Sequence, residues 1–166
     1  MFYGGFMKIG LISDTHNNLK STKEALILFE RLDVDKIYHL GDLVSPDVAE
    51  MFPEESYFLV GNCDSRELKD FLDENDYNFS NSYDHEYDGK RFFFIHGDNR
   101  LFLNRMINDG LFDCVIHGHT HTRKNRKRNS TLVVNPGALR DGTISVNKTV
   151  CVLDTESLDV DFHKID

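Results

Sequence analysis

Apolar residues fall in short runs along this chain, and most runs close on a polar cluster. "MKIGLIS" (Met7–Ser13), "KIYHL" (Lys36–Leu40) and "SYFLV" (Ser56–Val60) are continuous runs of strand length, the pattern of strands buried on both faces. Between the first two, "NLKSTKEALILFERL" (Asn18–Leu32) spaces Leu19, Lys23, Leu26, Phe29 and Leu32 at helical intervals with charges between, which predicts an amphipathic helix. "SPDVAEMF" offers Ser45 as N-cap and Pro46 at the first helical position, so a second helix is expected there. Strands alternating with helices predict a parallel sheet of βαβ units.

The second half changes character. "SYDHEYDGKRFFFIHG" reads as a hairpin turning at Asp88-Gly89. "RLFLNRMIND" predicts a short helix ended by Gly110, followed by the strand "FDCVIH". From Thr122 onward "TRKNRKR", "TLVVN", "TISV", "TVCVLD" and "LDVDFHKI" predict antiparallel strands. The expected class is α/β, with two packed sheets flanked by helices. No repeat or linker interrupts the pattern, so one domain over residues 1–166 is expected, with residues 1–6 an N-terminal extension ahead of a second candidate start at Met7.

Composition narrows the partners. The 166 residues carry a formal net charge of −9, which argues against duplex DNA or an anionic membrane as main partner. No aromatic-basic platform for single strands stands out, so stable nucleic-acid binding is not expected. Three cysteines, Cys63, Cys114 and Cys151, form no CxxC pair, which suits a reducing cytoplasm rather than a disulfide framework. No segment approaches the roughly 18 apolar residues of a membrane helix, and no signal-peptide pattern opens the chain. A homo-oligomer stays open.

The polar clusters carry the chemistry. Asp14-Thr15-His16, Gly41-Asp42, Gly61-Asn62-Cys63-Asp64, His96-Gly97-Asp98 and His117-Gly118-His119-Thr120-His121 each follow a predicted strand. Ligands of open α/β sheets bind beyond the carboxyl ends of strands. Convergence of five such ends would gather carboxylates, imidazoles and an amide. That donor set suits Mn²⁺, Fe or Zn²⁺ better than the oxygen cage of Ca²⁺. It exceeds the needs of one catalytic ion, whereas two ions about 3.5–4 Å apart would use it all.

In series, "SDTHNN", "GDLV", "GNCDS", "IHGD", "GHTH" and "NPGA" resemble the motifs of the calcineurin-like metallophosphoesterase superfamily. The likeness is to its small single-domain phosphodiesterase branch of bacterial and archaeal phosphodiesterases, which also contains Vps29-like scaffolds. The resemblance implies a four-layer αββα sandwich of two mixed β-sheets. It implies that Asp14, His16 and His121 bind one metal, that Asn62, His96 and His119 bind the other, and that Asp42 bridges them. Two divalent ions, Mn²⁺ first with Fe, Zn²⁺ or Ni²⁺ as competitors, would share a water and deliver hydroxide to a small phosphate ester. Asp42 and Asn62 are then also catalytic candidates. Where many relatives carry histidine after the asparagine, this chain has Cys63, which puts general-acid catalysis in question and favours diesters with good leaving groups.

His119 and His121, two residues apart on an extended segment, would face adjacent metals, while His117 is assigned a supporting role. Asp64, Asp98 and Arg100 stand beside ligands and are candidates to orient imidazoles or meet substrate. His39, His85 and His163 read as packing or surface residues. "RKNRKR" (Arg123–Arg128) reads as a charged strand edge that blocks pairing, or else as an attractor of anionic substrate. A metal-dependent phosphodiesterase is therefore expected. The alternatives are a phosphomonoesterase with the same site and a Vps29-like protein-binding scaffold.

Overall fold

The computed structural model describes residues 6–142 and 147–166. The apolar run Lys8–Ile12 is strand β1, and the helix expected after it is α1, Leu19–Arg31, capped by the Asn18 side chain on Ser21 N–H. Strand β2 (Lys36–His39), helix α2 (Pro46–Ala49), strand β3 (Tyr57–Leu59), helix α3 (Arg66–Glu74) and strand β4 (Asn78–Ser80) continue the alternation. Strands β1 to β4 pair in parallel, as short buried runs joined by helices should. Helix α3 is not among the expected elements; its apolar stripe is short, Leu68, Phe71 and Leu72, behind the Ser65 cap.

Ser45 sits at the start of α2 but caps nothing. Its hydroxyl donates to Asn17 Oδ1 at 2.6 Å, so it ties two loops together, a tertiary use of a residue whose local reading is an N-cap.

The predicted hairpin is β5 (Ser82–Tyr87) and β6 (Lys90–Ile95), turning through Asp88 and Gly89 at φ 49° and 71°. Both central residues are left-handed, as a type I′ turn requires. Helix α4 (Arg100–Asn108), strand β7 (Cys114–His117), β8 (Lys124–Arg128), β9 (Thr131–Asn135), β10 (Thr149–Asp154) and β11 (Val160–Lys164) complete the order. The expectation of antiparallel strands after Thr122 holds for β8, β10 and β11 but not throughout. Strand β9 lies parallel to β7 while pairing antiparallel with β8. The predicted strand "TISV" falls at residues 143–146, outside the described residues.

Two mixed sheets result. One has the order β11-β10-β1-β2-β3-β4, the other β5-β6-β7-β9-β8. Their facing sides bury Ile9, Leu11, Tyr38, Leu40, Phe92, Phe94, Ile116 and Val134 in a common core. Tyr38 stacks on Phe94 at 3.9 Å between ring centroids, and its hydroxyl meets His85 Nδ1 and Tyr87 Oη, each at 2.5 Å. The buried polar atom is thus satisfied. Cys114 and Cys151 are small, fully buried members of the same core. Helices α1, α2 and α3 cover the outer side of the first sheet through Ala25, Phe29, Val48 and Leu68. Helix α4 covers the second through Leu103 and Ile107. This is the αββα layering, and burying each large side chain contributes about 1.5–3 kcal/mol. Among the described residues no helix is long and apolar enough to cross a membrane.

Candidate metal centre

The carboxyl ends of β1, β2 and β3 in one sheet and of β6 and β7 in the other open onto the same edge of the sandwich. From the first sheet come Asp14 and His16 after β1, Asp42 after β2, and Asn62 after β3. From the second come His96 after β6, and His119 and His121 after β7. The loops are cross-tied: Asp14 N–H donates to Gly41 O at 3.1 Å, His16 N–H to Asp42 O at 3.0 Å, and Gly118 N–H to His96 O at 3.0 Å.

Five of these seven residues have left-handed backbones: Asp14, His16, Asp42, His119 and His121, at φ 52°, 42°, 60°, 62° and 56°. Each such non-glycine conformation costs about 1–3 kcal/mol and persists only where surrounding structure enforces it. This corrects the extended geometry expected for Gly118–His121, whose side chains are aimed by two left-handed turns rather than by strand alternation. Glycine is needed beside them. At Gly61 a Cβ would lie 2.1 Å from Asp42 Oδ1, and at Gly41, itself at φ +101°, a Cβ would lie 2.6 Å from His96 Nδ1.

The side chains converge closely. His121 Nε2 lies 3.1 Å from Asp14 Oδ1, while His16 Nε2 lies 3.5 Å from Asp42 Oδ2 and 4.0 Å from Asp14 Oδ1. His96 Nε2 lies 3.6 Å from Asp42 Oδ2 and 3.0 Å from Asn62 Oδ1. His119 stands edge-on to His96, with ring centroids 5.1 Å apart. Asp14 and Asp42 are 0% and 2% exposed. Potential ligand atoms of Asp14, His16 and His121 lie mutually within 4.8 Å, as do those of Asp14, Asp42 and His96, and of His16, Asp42 and Cys63.

These residues fit divalent cations, for two structural reasons. His96 Nδ1 lies 2.7 Å from Leu40 O and must donate to it. Its Nε2 then carries a lone pair, yet that atom faces the oxygens of Asn62 and Asp42. With a neutral imidazole, acceptor would meet acceptors there, a conflict that a cation held between them resolves, and an imidazole pinned by a carbonyl on its far nitrogen is the usual arrangement of a metal ligand. Second, His16 Nε2 is buried without any hydrogen-bond partner, an omission that costs about 1–3 kcal/mol unless another ligand satisfies it.

Charge is arranged to keep the donors ready. Burial alone would raise the Asp14 carboxyl, but hydrogen bonds to His121 and Ser13 outweigh it, and the group ends below its ordinary range. Burial lowers the His16 imidazole against the pull of Asp42 and Asp14, which favours the neutral, metal-competent form. Asp14 Oδ2 accepts from Ser13 Oγ at 2.5 Å and from His119 N–H at 3.0 Å.

Asp64 and Asp98 orient no imidazole. Asp64 instead accepts three backbone N–H groups, from Asp42, Gly61 and Val44, at 2.8–2.9 Å, and so shapes the loop that carries Asp42. Asp98 is exposed, beside Asn62 and His96. Exposed Arg100 lies in a cleft beside His119. Cys63 is exposed next to the cluster, and its N–H donates to Asp42 Oδ1 at 2.8 Å.

Two supporting groups escaped the pattern. His39 is fully buried under the site and bonds Thr15 Oγ1 at 3.0 Å, where burial lowers its imidazole to about 3. Ser13 braces Asp14. The hint for Ser13 was its position, the last residue of an apolar run directly before an acid. His39 sat inside a strand and gave none. His117 is buried and takes a supporting place: Nδ1 donates to Gly118 O at 3.0 Å and Nε2 accepts from Lys124 Nζ at 3.2 Å. Burial, then the Lys124 charge, lowers it to about 4.

Comparison with known proteins agrees with this geometry. Residues 7–158 match the calcineurin-like phosphoesterase superfamily domain. The chain is 36% identical over 159 residues to phosphodiesterase MJ0936 of Methanocaldococcus jannaschii, covering 90% of this chain and 94% of that protein. It superposes on a solved archaeal phosphodiesterase with a TM-score of 0.84 at 33% identity, covering 96% and 100% of the two chains. Vps29 of Chaetomium thermophilum shares the fold at a TM-score of 0.70 and 14% identity, over 96% and 97% of the chains. With this edge of the sandwich and a match running through nearly all its strands, the chain belongs to the calcineurin-like phosphoesterase superfamily.

Proposed function

We propose that this chain is a metal-dependent phosphodiesterase that hydrolyses small phosphate diesters where the two sheets' strand ends meet. The observation that carries this reading is His96, whose Nε2 lone pair faces the oxygens of Asn62 and Asp42 at 3.0 and 3.6 Å. In this reading Asp14, His16 and His121 hold one divalent cation, Asn62, His96 and His119 hold the other, and Asp42 bridges. Mn²⁺ suits the mixed carboxylate, imidazole and amide donors, with Fe, Zn²⁺ and Ni²⁺ as competitors. When bound, the two cations supply Lewis-acid charge to the phosphoryl group and acidify water near neutral pH.

The chain's own residues do the rest. Asp14 and Asp42 are engaged by hydrogen bonds on the sides turned from the cluster, which suits holding charge rather than nucleophilic attack. Asn62 is exposed at the rim, and its amide is placed to meet an equatorial phosphoryl oxygen. Cys63 stands where a leaving-group acid would act. Desolvation, then the Asp42 charge, pushes its thiol above the ordinary value, so it stays a neutral, weak proton donor at pH 7. A weak donor favours esters whose leaving group departs unprotonated, and the diester class follows the likeness to archaeal phosphodiesterases.

The test is hydrolysis of bis-p-nitrophenyl phosphate and p-nitrophenyl phosphate by chelator-stripped protein, with and without Mn²⁺, and with Asp42→Asn as control. Diester cleavage restored by Mn²⁺ and lost in the variant is expected. Preference for the monoester would overturn the substrate class, and tight binding of two ions without hydrolysis would overturn the enzyme.

A further inference from the structure

Beside the metal centre a cleft of about 530 Å³ runs between α4 and β8, a volume typical of small-ligand sites. Lys124, Arg126 and Arg128 reach it from β8, Arg100 from the first turn of α4, and His119 closes the end nearest the metals. Among the described residues no carboxylate lines it. Val133, Leu103 and Ile107 give it an apolar floor.

Strand alternation selects these side chains. Positions 124, 126 and 128 share one face of β8, while Arg123, just before the strand, instead covers the Phe162 ring at 5.6 Å. β8 is an edge of its sheet, so its charges also block pairing, but edge protection is indifferent to face. It explains neither the convergence with Arg100 on another element nor the missing partners. The chain has 28 acidic and 19 basic residues, yet among the described residues none of these four cations is paired with a carboxylate. Lys124 is held by His117 Nε2 at 3.2 Å, and Arg128 touches the neutral Asn104 amide at 3.4 Å. Four unneutralised cations in one concave, partly apolar site concentrate positive potential on whatever enters it, and arginine forks match phosphate oxygens.

We propose that this cleft is an anion subsite that binds a second phosphate of the substrate while the first lies at the metals. The substrate class is thus a small diester with a further phosphate on the arm directed along β8. The three strand positions span about 13 Å, enough for an extended arm. This inference rests on the phosphodiesterase reading for its substrate, but the cleft itself is testable by binding, apart from hydrolysis.

Binding is measured by calorimetry on the full chain with Mn²⁺ bound, using thymidine 3′,5′-bisphosphate against thymidine 5′-monophosphate, and fructose 1,6-bisphosphate against fructose 6-phosphate. The bisphosphates should bind at least tenfold tighter than their monophosphates at low salt, whichever carrier binds better. Arg126→Gln/Arg128→Gln, and separately Arg100→Gln, should remove most of that margin; these positions are exposed, and circular dichroism verifies the fold. The Mn²⁺-loaded chain is then given thymidine 5′-(p-nitrophenyl phosphate) with and without a 3′-phosphate, and kcat/KM should favour the 3′-phosphate at least tenfold, chiefly through KM. Equal affinities and a kcat/KM ratio near one would overturn the subsite, while cleavage of bis-p-nitrophenyl phosphate would leave the phosphodiesterase standing. A bisphosphate margin without any hydrolysis would overturn the phosphodiesterase and leave the anion site. A twenty-residue oligothymidine that binds a hundredfold tighter than the bisphosphate would make the cleft a strand track and overturn the small-diester class.

Discussion

Asp64→Asn isolates the support beneath the loop that carries Asp42. The carboxylate is 7% exposed, with Oδ2 accepting from Asp42 N–H at 2.9 Å and Gly61 N–H at 2.8 Å, and Oδ1 accepting from Val44 N–H at 2.9 Å. Asparagine has the same shape but one oxygen. If it keeps the Oδ2 pair, its amide hydrogens oppose Val44 N–H and one charge-assisted bond is lost, about 1.5–3 kcal/mol. The two bonds that survive lose their charge, at about 1 kcal/mol each. Against this, the neutral side chain avoids the burial that pushes the Asp64 carboxyl upward despite its three donors.

The balance is a destabilisation of about 3 kcal/mol, or about 6–12 °C in Tm for a domain of this size. Urea denaturation of metal-free protein measures it without interference from bound ions. Because Asp64 holds the Asp42 peptide, Mn²⁺ affinity should also fall about 10–100-fold, as for other groups that orient ligands. A stability change below about 0.5 kcal/mol with unaltered Mn²⁺ affinity would refute the argument, showing that the loop keeps its shape without these bonds.

Gly61→Ala places a methyl 2.1 Å from Asp42 Oδ1 and 2.3 Å from Asp42 N; the expected outcome is about 1–3 kcal/mol lost and about a hundredfold loss of Mn²⁺-dependent diesterase activity, and near-normal turnover would show that Asp42 has freedom to move. Mn²⁺ at a hundred times its Kd should stabilise the chelator-stripped chain by about 2.7 kcal/mol per site, read as a concentration-dependent rise in Tm that Asp14→Ala abolishes at one site; a Tm indifferent to Mn²⁺ would argue against the centre. Burial takes His39 from 6.5 to about 3, so between those values the unfolded chain holds a proton that the folded chain lacks. Its contribution is complete above pH 6.5 and declines as pH falls towards 3. From pH 7 to pH 5 this one group costs about 2 kcal/mol, and His39→Gln should lose that much less stability in urea over the same interval; parallel losses would refute it.

The order of elements and the polar residue types at strand ends were readable from the chain alone, because both follow from local rules. A strand buried on both faces is mainly apolar, as Ile9–Ile12 of β1 and Cys114–Ile116 of β7 are, and most polar residues appear where it emerges, at Asp14, Asp42, Asn62, His96 and His119. Helix α1 announced itself by its spacing and the hairpin by Asp88-Gly89. Helix α3 did not, since its apolar stripe is short, only Leu68, Phe71 and Leu72.

Other features depended on contacts between residues far apart in sequence. Parallel pairing of β6 with β7, which no local pattern encodes, sets His96 beside the loop that carries His119 and His121, where they meet Asp14 and Asp42. The left-handed turns at His119 and His121 are unfavourable locally and survive through ties such as His119 N–H to Asp14 Oδ2, 105 residues away. The same holds for the basic run. Its charge was visible at once, but which side of β8 each residue occupies, and that Arg100 joins them while no acid does, is set by the packing of α4 against the sheet. Residue type is a property of the chain, whereas the field that several residues make together depends on distances, and only the tertiary fold sets those.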